Sequence, residues 1–127
     1  MRIATWNVER PTGREPEQIE ALHARMRAVN AEEEVDVWIL TETHSCISPG
    51  NGFQCRATTP ITGPERYAEG ENRTTIWSRL PIRRSVPTHD PETAVCAEIE
   101  CGGKSMLNEA DRSTEQSPSV QWQLSQS

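Results

Sequence analysis

The chain has 127 residues, a formal net charge of −6 and a hydrophobic content of 34%. This length suits one domain, and the acidic balance argues against a broad electrostatic grip on nucleic acid or on acidic lipid. No stretch approaches the roughly 20 apolar residues of a membrane span, and no apolar run near the start indicates a secretory signal, so we expect a cytoplasmic protein without membrane contact.

The first element in the sequence is a strand, and a helix follows it. Residues 2–8, "RIATWNV", are rich in the β-branched and aromatic residues that favour strands. Pro16 suits the first turn of a helix, and the pattern that follows predicts a helix over residues 16–34. Its apolar side chains repeat at helical spacing and predict one buried face, formed by Ile19, Leu22, Met26 and Val29.

A second strand is predicted over residues 35–41, where a nearly continuous apolar run is typical of a strand covered on both faces. Strand, helix and strand in this order predict an α/β fold. Residues 53–59, 73–82 and 93–101 also have the composition of strands, and a turn-rich connection is expected over residues 83–92.

Two polar side chains stand where the first two strands end. Asn7 closes the first strand and Glu42 follows the second. Because the carboxyl ends of parallel strands meet at one edge of a sheet, we expect both side chains there. An amide oxygen and a carboxylate are ligands that suit Mg²⁺, and Glu9 lies close enough in sequence to join them. The alternative is that these residues only cap the strands and bond to loops.

Several short sequence motifs resemble those of the endonuclease/exonuclease/phosphatase superfamily. "TWNVE" in the first strand and "DVWILTETH" in the second are similar to the family's W-N-V and x-E-T motifs. "TTIWSRLPI" is similar to its Y-S-R-x-P strand, and "TAVCAEIE" to the strand after it. The motifs occur in the same order as in the family, and the resemblance covers about residues 2–101.

The resemblance implies a four-layer α/β/β/α sandwich, with two sheets face to face and helices outside. It also implies a hydrolase that uses Mg²⁺ or Mn²⁺ to cleave phosphoesters, with nucleic acid among the candidate substrates. The family's metal-binding and catalytic Asn and Glu map onto Asn7 and Glu42. Its third acidic position, often Asp, is Glu9 here, which is one methylene longer. The family's frequent Lys is replaced by His44, which we expect to be a loop residue.

Two motifs from the second half of the family's domain, "G-D-x-N" and "S-D-H", do not occur in this sequence. We therefore interpret residues 1–101 as the N-terminal portion of the domain, a partial sandwich with an incomplete second half. Residues 102–127 are rich in Ser and Gln and are expected to be a polar, disordered tail. A truncated or frame-shifted hydrolase that is inactive alone is the first hypothesis. A non-catalytic, partner-binding remnant is the alternative, and a natural polar tail is also left open.

Overall fold

The structure, a computed structural model, describes residues 1–110 and 119–122. In these residues the chain forms one helix and eight strands. In chain order they are β1 (Arg2–Asn7), α1 (Pro16–Glu33), β2 (Val37–His44), β3 (Gln54–Ala57), β4 (Glu71–Ser78), β5 (Ile82–Val86), β6 (Val95–Cys101), β7 (Lys104–Ala110) and β8 (Ser119–Trp122).

The strands form two sheets, and the larger one carries the predicted site. Its five strands run in the order β3-β4-β2-β1-β8, and β5-β6-β7 form the smaller sheet. β1 and β2 are direct parallel neighbours, with Ile3 opposite Val37 and Asn7 opposite Thr41. The other pairings are antiparallel. Both carboxyl ends of the parallel pair therefore lie at one edge of the larger sheet.

Helix α1 covers one face of the larger sheet with the stripe that its sequence predicts. Met26 is fully buried against Trp38 and Leu40, and the other members of the stripe pack around it. The helix ends at Glu34, which takes a left-handed conformation and returns its N–H to the carbonyl of Asn30 at 3.0 Å. Within the described ranges, no helix is both long and apolar enough to cross a membrane.

The smaller sheet covers the opposite face. A second apolar core fills the space between the sheets, with Ile3, Val37 and Ile76 on one side and Val95, Ala97 and Ile99 on the other. The layers are thus helix, sheet and sheet. They match three layers of the predicted four-layer sandwich, and the described residues contain no outer helix on the smaller sheet. The α/β fold class is confirmed.

Two regions differ from the sequence-based expectation. The predicted connection contains β5, an exposed edge strand whose arginines form ion pairs with glutamates of β6 and leave no apolar signature. Gly102 and Gly103 make a two-residue turn in which both have positive φ, a geometry that favours hairpins. This turn folds β7 back onto β6, with Met106 buried opposite Ile99.

The predicted tail therefore contains two strands, since β8 also lies within it and pairs with β1. The residues of β7 and β8 are strands in the structure, where the sequence predicted a polar, disordered tail. Residues 111–118 and 123–127 of that predicted tail lie outside the described residues, and the domain boundary at residue 101 stays a prediction.

Candidate functional site

The predicted site lies where β1 and β2 end together. Asn7 is opposite Thr41 in the parallel register, so Glu42 is one residue beyond the partner of Asn7. The chain after β1 continues alongside β2. The N–H of Val8 donates to the carbonyl of Thr41 at 2.9 Å, and the N–H of Arg10 donates to the carbonyl of Glu42 at 2.7 Å. Asn7 and Glu42 therefore share one edge of the sheet, while their role as metal ligands stays a prediction.

Asn7 is almost completely buried, with 1% of its surface exposed. Its side-chain oxygen accepts the backbone N–H of Glu9 at 2.9 Å, which closes an Asx-type turn directly after the strand. The loop-bonding alternative thus describes part of what Asn7 does. An amide oxygen has two lone pairs, and the turn occupies one of them. The side chain of Glu9 itself is exposed.

Backbone strain concentrates at this edge. Of the four non-glycine residues with positive φ in the described chain, three are Glu9, Arg10 and Glu42, at 62°, 55° and 49°. Such conformations cost energy for residues with a Cβ, and they persist where surrounding contacts enforce them. Strain of this kind is often found at functional sites. The positive φ of Glu42 interrupts the regular pleat of β2 at this one residue. The residues on either side, Thr41 and Thr43, keep their pairing with β4.

Glu42 opens onto a small cleft of about 130 Å³. Two arginines, three glutamates, an asparagine and an isoleucine line it: Arg10, Arg73, Glu42, Glu65, Glu71, Asn72 and Ile61. Asn7 and Glu9 are not among the lining residues. The structure thus places Glu42 in a charged cleft, Asn7 buried at the adjoining strand end, and Glu9 outside.

An ion pair between the half-buried Arg10 and the buried Glu71 crosses the cleft. Arg10 Nε donates to Glu71 Oε2 at 2.5 Å, and Arg10 Nη2 donates to Glu71 Oε1 at 3.2 Å. The N–H of Tyr67 donates to the same Oε1 at 2.9 Å, and the Arg10 guanidinium lies 4.9 Å from the centre of the Tyr67 ring. Burial alone would raise the pKa of Glu71, but the hydrogen bonds from Arg10 and Tyr67 outweigh it and lower the pKa.

His44 is not a loop residue as expected. It is the last residue of β2 and is buried, with its ring between Gly13 and Gly70. Its Nε2 hydrogen bonds to the carbonyl of Glu69 at 2.6 Å, and its Nδ1 accepts the N–H of Cys46 at 3.1 Å. A Cβ on Gly13 would lie 2.5 Å from the ring, and both glycines have positive φ. The loops close tightly on this ring, which is why it is enclosed.

The sequence analysis missed the other charged residues of the cleft. Arg10 and Glu71 are 61 residues apart, and no local pattern couples them. Arg73 was expected at the start of a strand, but β4 begins at Glu71 and brings both Glu71 and Asn72 to the site. Gly70, directly before this strand, was the available signal, since it marks a turn against the end of β2.

The possible ligands for a divalent cation at this edge are the carboxylate of Glu42 and the amide oxygen of Asn7. The described residues contain no group of three or more His, Cys, Asp or Glu side chains arranged to hold a metal. One carboxylate and one amide oxygen at adjoining strand ends are hard ligands of the kind that Mg²⁺ accepts. Magnesium commonly keeps several waters and binds substrate phosphates besides one or two carboxylates. Glu42 and Asn7 therefore fit such an ion in chemical type.

No protein-family model matches the sequence, and no curated protein does. Solved structures do match. The endonuclease domain of TRAS1, a telomere-specific non-LTR retrotransposon, gives a TM-score of 0.60 at 13% identity over 87% of this chain and 44% of its own. An endonuclease/exonuclease/phosphatase family protein from Leptotrichia buccalis C-1013-b gives 0.58 at 16% over 87% and 52%. A humanized D. rerio TDP2 gives 0.58 at 16% over 90% and 48%.

These structural similarities show that the chain has the endonuclease/exonuclease/phosphatase fold, as the sequence motifs predicted. The chain spans about half the length of the solved structures that it matches, corresponding to their N-terminal portion. At identities of 13–16% the likeness is one of fold, and the chemistry of this chain has to be argued from its own residues.

The ion pair predicts an acid-sensitive contribution to stability. The folded-state pKa of Glu71 is below its ordinary value of 4.5, so this contribution is complete above that value and is lost as pH falls through the folded-state pKa. Glu71→Gln should lower the free energy of unfolding at pH 7 by about 1–3 kcal/mol, because charge-assisted hydrogen bonds are lost. The deficit should shrink below about pH 4.

Urea denaturation at a series of pH values measures this effect. Glu92→Gln, at an exposed position outside the helix and strands, is the matched control and should change stability little at any pH. An equal deficit for Glu71→Gln at neutral and acid pH would show that the side chain contributes through its shape and not through its charge.

Proposed function

We propose that this chain forms one side of the active site of a metal-dependent phosphoester hydrolase, a nuclease or phosphatase, in which Glu42 and Asn7 bind Mg²⁺ or Mn²⁺. The observation that carries the proposal is the parallel register of β1 and β2, which sets a buried amide oxygen beside a cleft-lining carboxylate at one sheet edge. The shared fold supports it, since the neighbours include an endonuclease domain.

The chain's own residues would bind and orient this site. Glu42 supplies the carboxylate and Asn7 the amide oxygen. The N–H of Arg10 fixes the backbone of Glu42, and the ion pair with Glu71 fixes Arg10 in turn. When bound, the cation would offset phosphate charge in the transition state and stabilise the leaving oxygen. Glu9 is the weaker candidate as a third ligand, because its side chain is exposed and lies outside the cleft lining.

The substrate proposed is a phosphoester, and nucleic acid is one candidate for it. The net charge of −6 gives no broad basic surface for a polyanion. Recognition of the phosphate would then be local, through the cation and the few positive groups at the cleft.

A second candidate function is a non-catalytic, partner-binding fragment of the same fold. The "G-D-x-N" and "S-D-H" motifs carry the general base and the phosphate-orienting groups in the family that this chain resembles, and they lie outside residues 1–127, so this candidate concerns these residues by themselves. Without a positioned base, activation of water is slow even where a cation is bound.

Turnover by the chain alone tests whether these residues suffice for catalysis. We expect the chain alone to hydrolyse bis(4-nitrophenyl) phosphate no faster than Mg²⁺ in buffer does. The rate of nitrophenolate release, with and without chelator, measures this. A magnesium-dependent rate that disappears in Glu42→Gln would establish the enzyme reading for this chain and exclude the non-catalytic one.

Cation binding is the direct test of the proposed ligands. Glu42→Gln keeps the shape of the side chain and removes its charge, so Mn²⁺ affinity measured by calorimetry should fall more than tenfold, roughly the scale of losses at metal sites. Glu32→Gln on the exposed side of α1 is the charge-matched control and should leave the affinity unchanged. Equal affinities in wild type and Glu42→Gln would exclude Glu42 as a ligand.

A further inference from the structure

The cleft beside Glu42 contains a second arginine, Arg73, that the proposed metal site does not use. Arg73 is on β4, and the register places it opposite Glu42, since Thr41 is opposite Thr74 and Thr43 is opposite Asn72. Glu42 and Arg73 are therefore at the same level of two neighbouring strands, although the backbone of β2 is irregular at Glu42. Both Glu42 and Arg73 line the cleft.

The two arginines of the cleft differ in what they bind. Arg10 is committed, because its guanidinium donates to both carboxylate oxygens of Glu71 and to the carbonyl of Glu65. Within the described residues, Arg73 acts on Glu71 through its charge, which helps to lower the pKa of that carboxyl. Its Nε is buried and has no acceptor among them. Polar groups in such positions are normally paired, so Arg73 has donors left for a ligand.

The chemistry of a guanidinium defines that ligand. Arginine offers five N–H donors in a planar fork, and this fork matches the geometry of a carboxylate or a phosphate. The carboxylate of Glu71 is already bonded to Arg10 and to the N–H of Tyr67. An anion that enters from solvent and also approaches a cation at Glu42 has to be small and bear more than one acceptor oxygen. A phosphate group and a carboxylate both meet these conditions, and the proposed function selects the phosphate.

We propose that Arg73 binds a non-bridging oxygen of a phosphodiester in this cleft, as a substrate-binding residue opposite Glu42. The identification of this anion as substrate rests on the proposed function, whereas the contact between Arg73 and a phosphate does not require a bound metal. Arg73 and a cation at Glu42 would then hold the phosphate from two sides. In this arrangement Arg73 positions the phosphate and Glu42 positions the cation.

The test is binding of a small phosphodiester to the full chain, followed by titration in ³¹P and protein NMR spectra with and without Mg²⁺. Thymidylyl-thymidine and glycerophosphocholine are the two probes, and they separate a nucleic-acid source of the phosphodiester from a lipid headgroup. Arg73→Ala should weaken binding of the preferred probe by about 10- to 100-fold, the scale of a charge-assisted hydrogen-bonded pair. Arg73→Lys should give a smaller loss, because it keeps the charge and loses the fork.

Two controls keep this result separate from the fate of the metal site. Arg84→Ala removes an exposed arginine that is paired with Glu98, and it should leave probe binding unchanged. Arg73→Ala should retain the Mn²⁺ affinity of wild type, whereas Glu42→Gln should lose it. If Arg73→Ala fails to fold, as judged by its amide spectrum, Arg73→Lys carries the test.

Either of two results would overturn the proposal. One is probe affinity that is the same in wild type, Arg73→Ala and Arg73→Lys. The other is failure of wild type to bind either probe at millimolar concentration. Loss of Mn²⁺ binding in wild type would instead count against the proposed function, and the metal-free titration would still decide the role of Arg73.

Discussion

The candidate site depends on one constraint, the attachment of the loop after β1 across the end of β2. Two backbone hydrogen bonds make the attachment, from Val8 to Thr41 and from Arg10 to Glu42. The side chain of Arg10 then reaches Glu71 at the start of β4, so three strands are joined at one edge. Left-handed conformations at non-glycine residues are unfavourable by about 1–3 kcal/mol each, and three occur here. The ion pair between Arg10 and Glu71 and the backbone hydrogen bonds offset this strain.

The same attachment organises the charges. Arg10 pairs with Glu71, and Glu42 and Arg73 line the same cleft from neighbouring strands. A carboxylate and a guanidinium side by side can hold a cation and an anion next to each other. Because the chain as a whole is acidic, the proposed binding of phosphate depends on this local arrangement and not on a general positive field.

The sequence predicted those parts of the fold that local patterns determine. The apolar spacing of α1 and the continuous apolar run of β2 indicated both elements, and the parallel pairing then brought Asn7 and Glu42 to one edge. Features that depend on distant partners were missed. The pairing of Arg10 with Glu71 crosses 61 residues, and the enclosure of His44 needs loops from three parts of the chain.

The missed strands have a similar explanation. β5 is an exposed edge stabilised by cross-strand ion pairs, so it has no hydrophobic alternation to detect. The Gly102-Gly103 pair was interpreted as the start of a loose tail, although two glycines between extended segments also favour a hairpin. The motifs that resemble the family indicated the fold better than hydrophobic periodicity did. Each motif combines the end of a strand with the polar residues that follow it.

The most direct test of the account is a crystal structure of the full chain grown with Mn²⁺, using anomalous scattering to locate the ion. The account predicts an anomalous peak at bonding distance from the carboxylate of Glu42, with the amide oxygen of Asn7 on the same ion. A peak only at other carboxylates, such as those of Glu98 and Glu100 on β6, would contradict it. So would a well-ordered Glu42 with no ion beside it at saturating Mn²⁺.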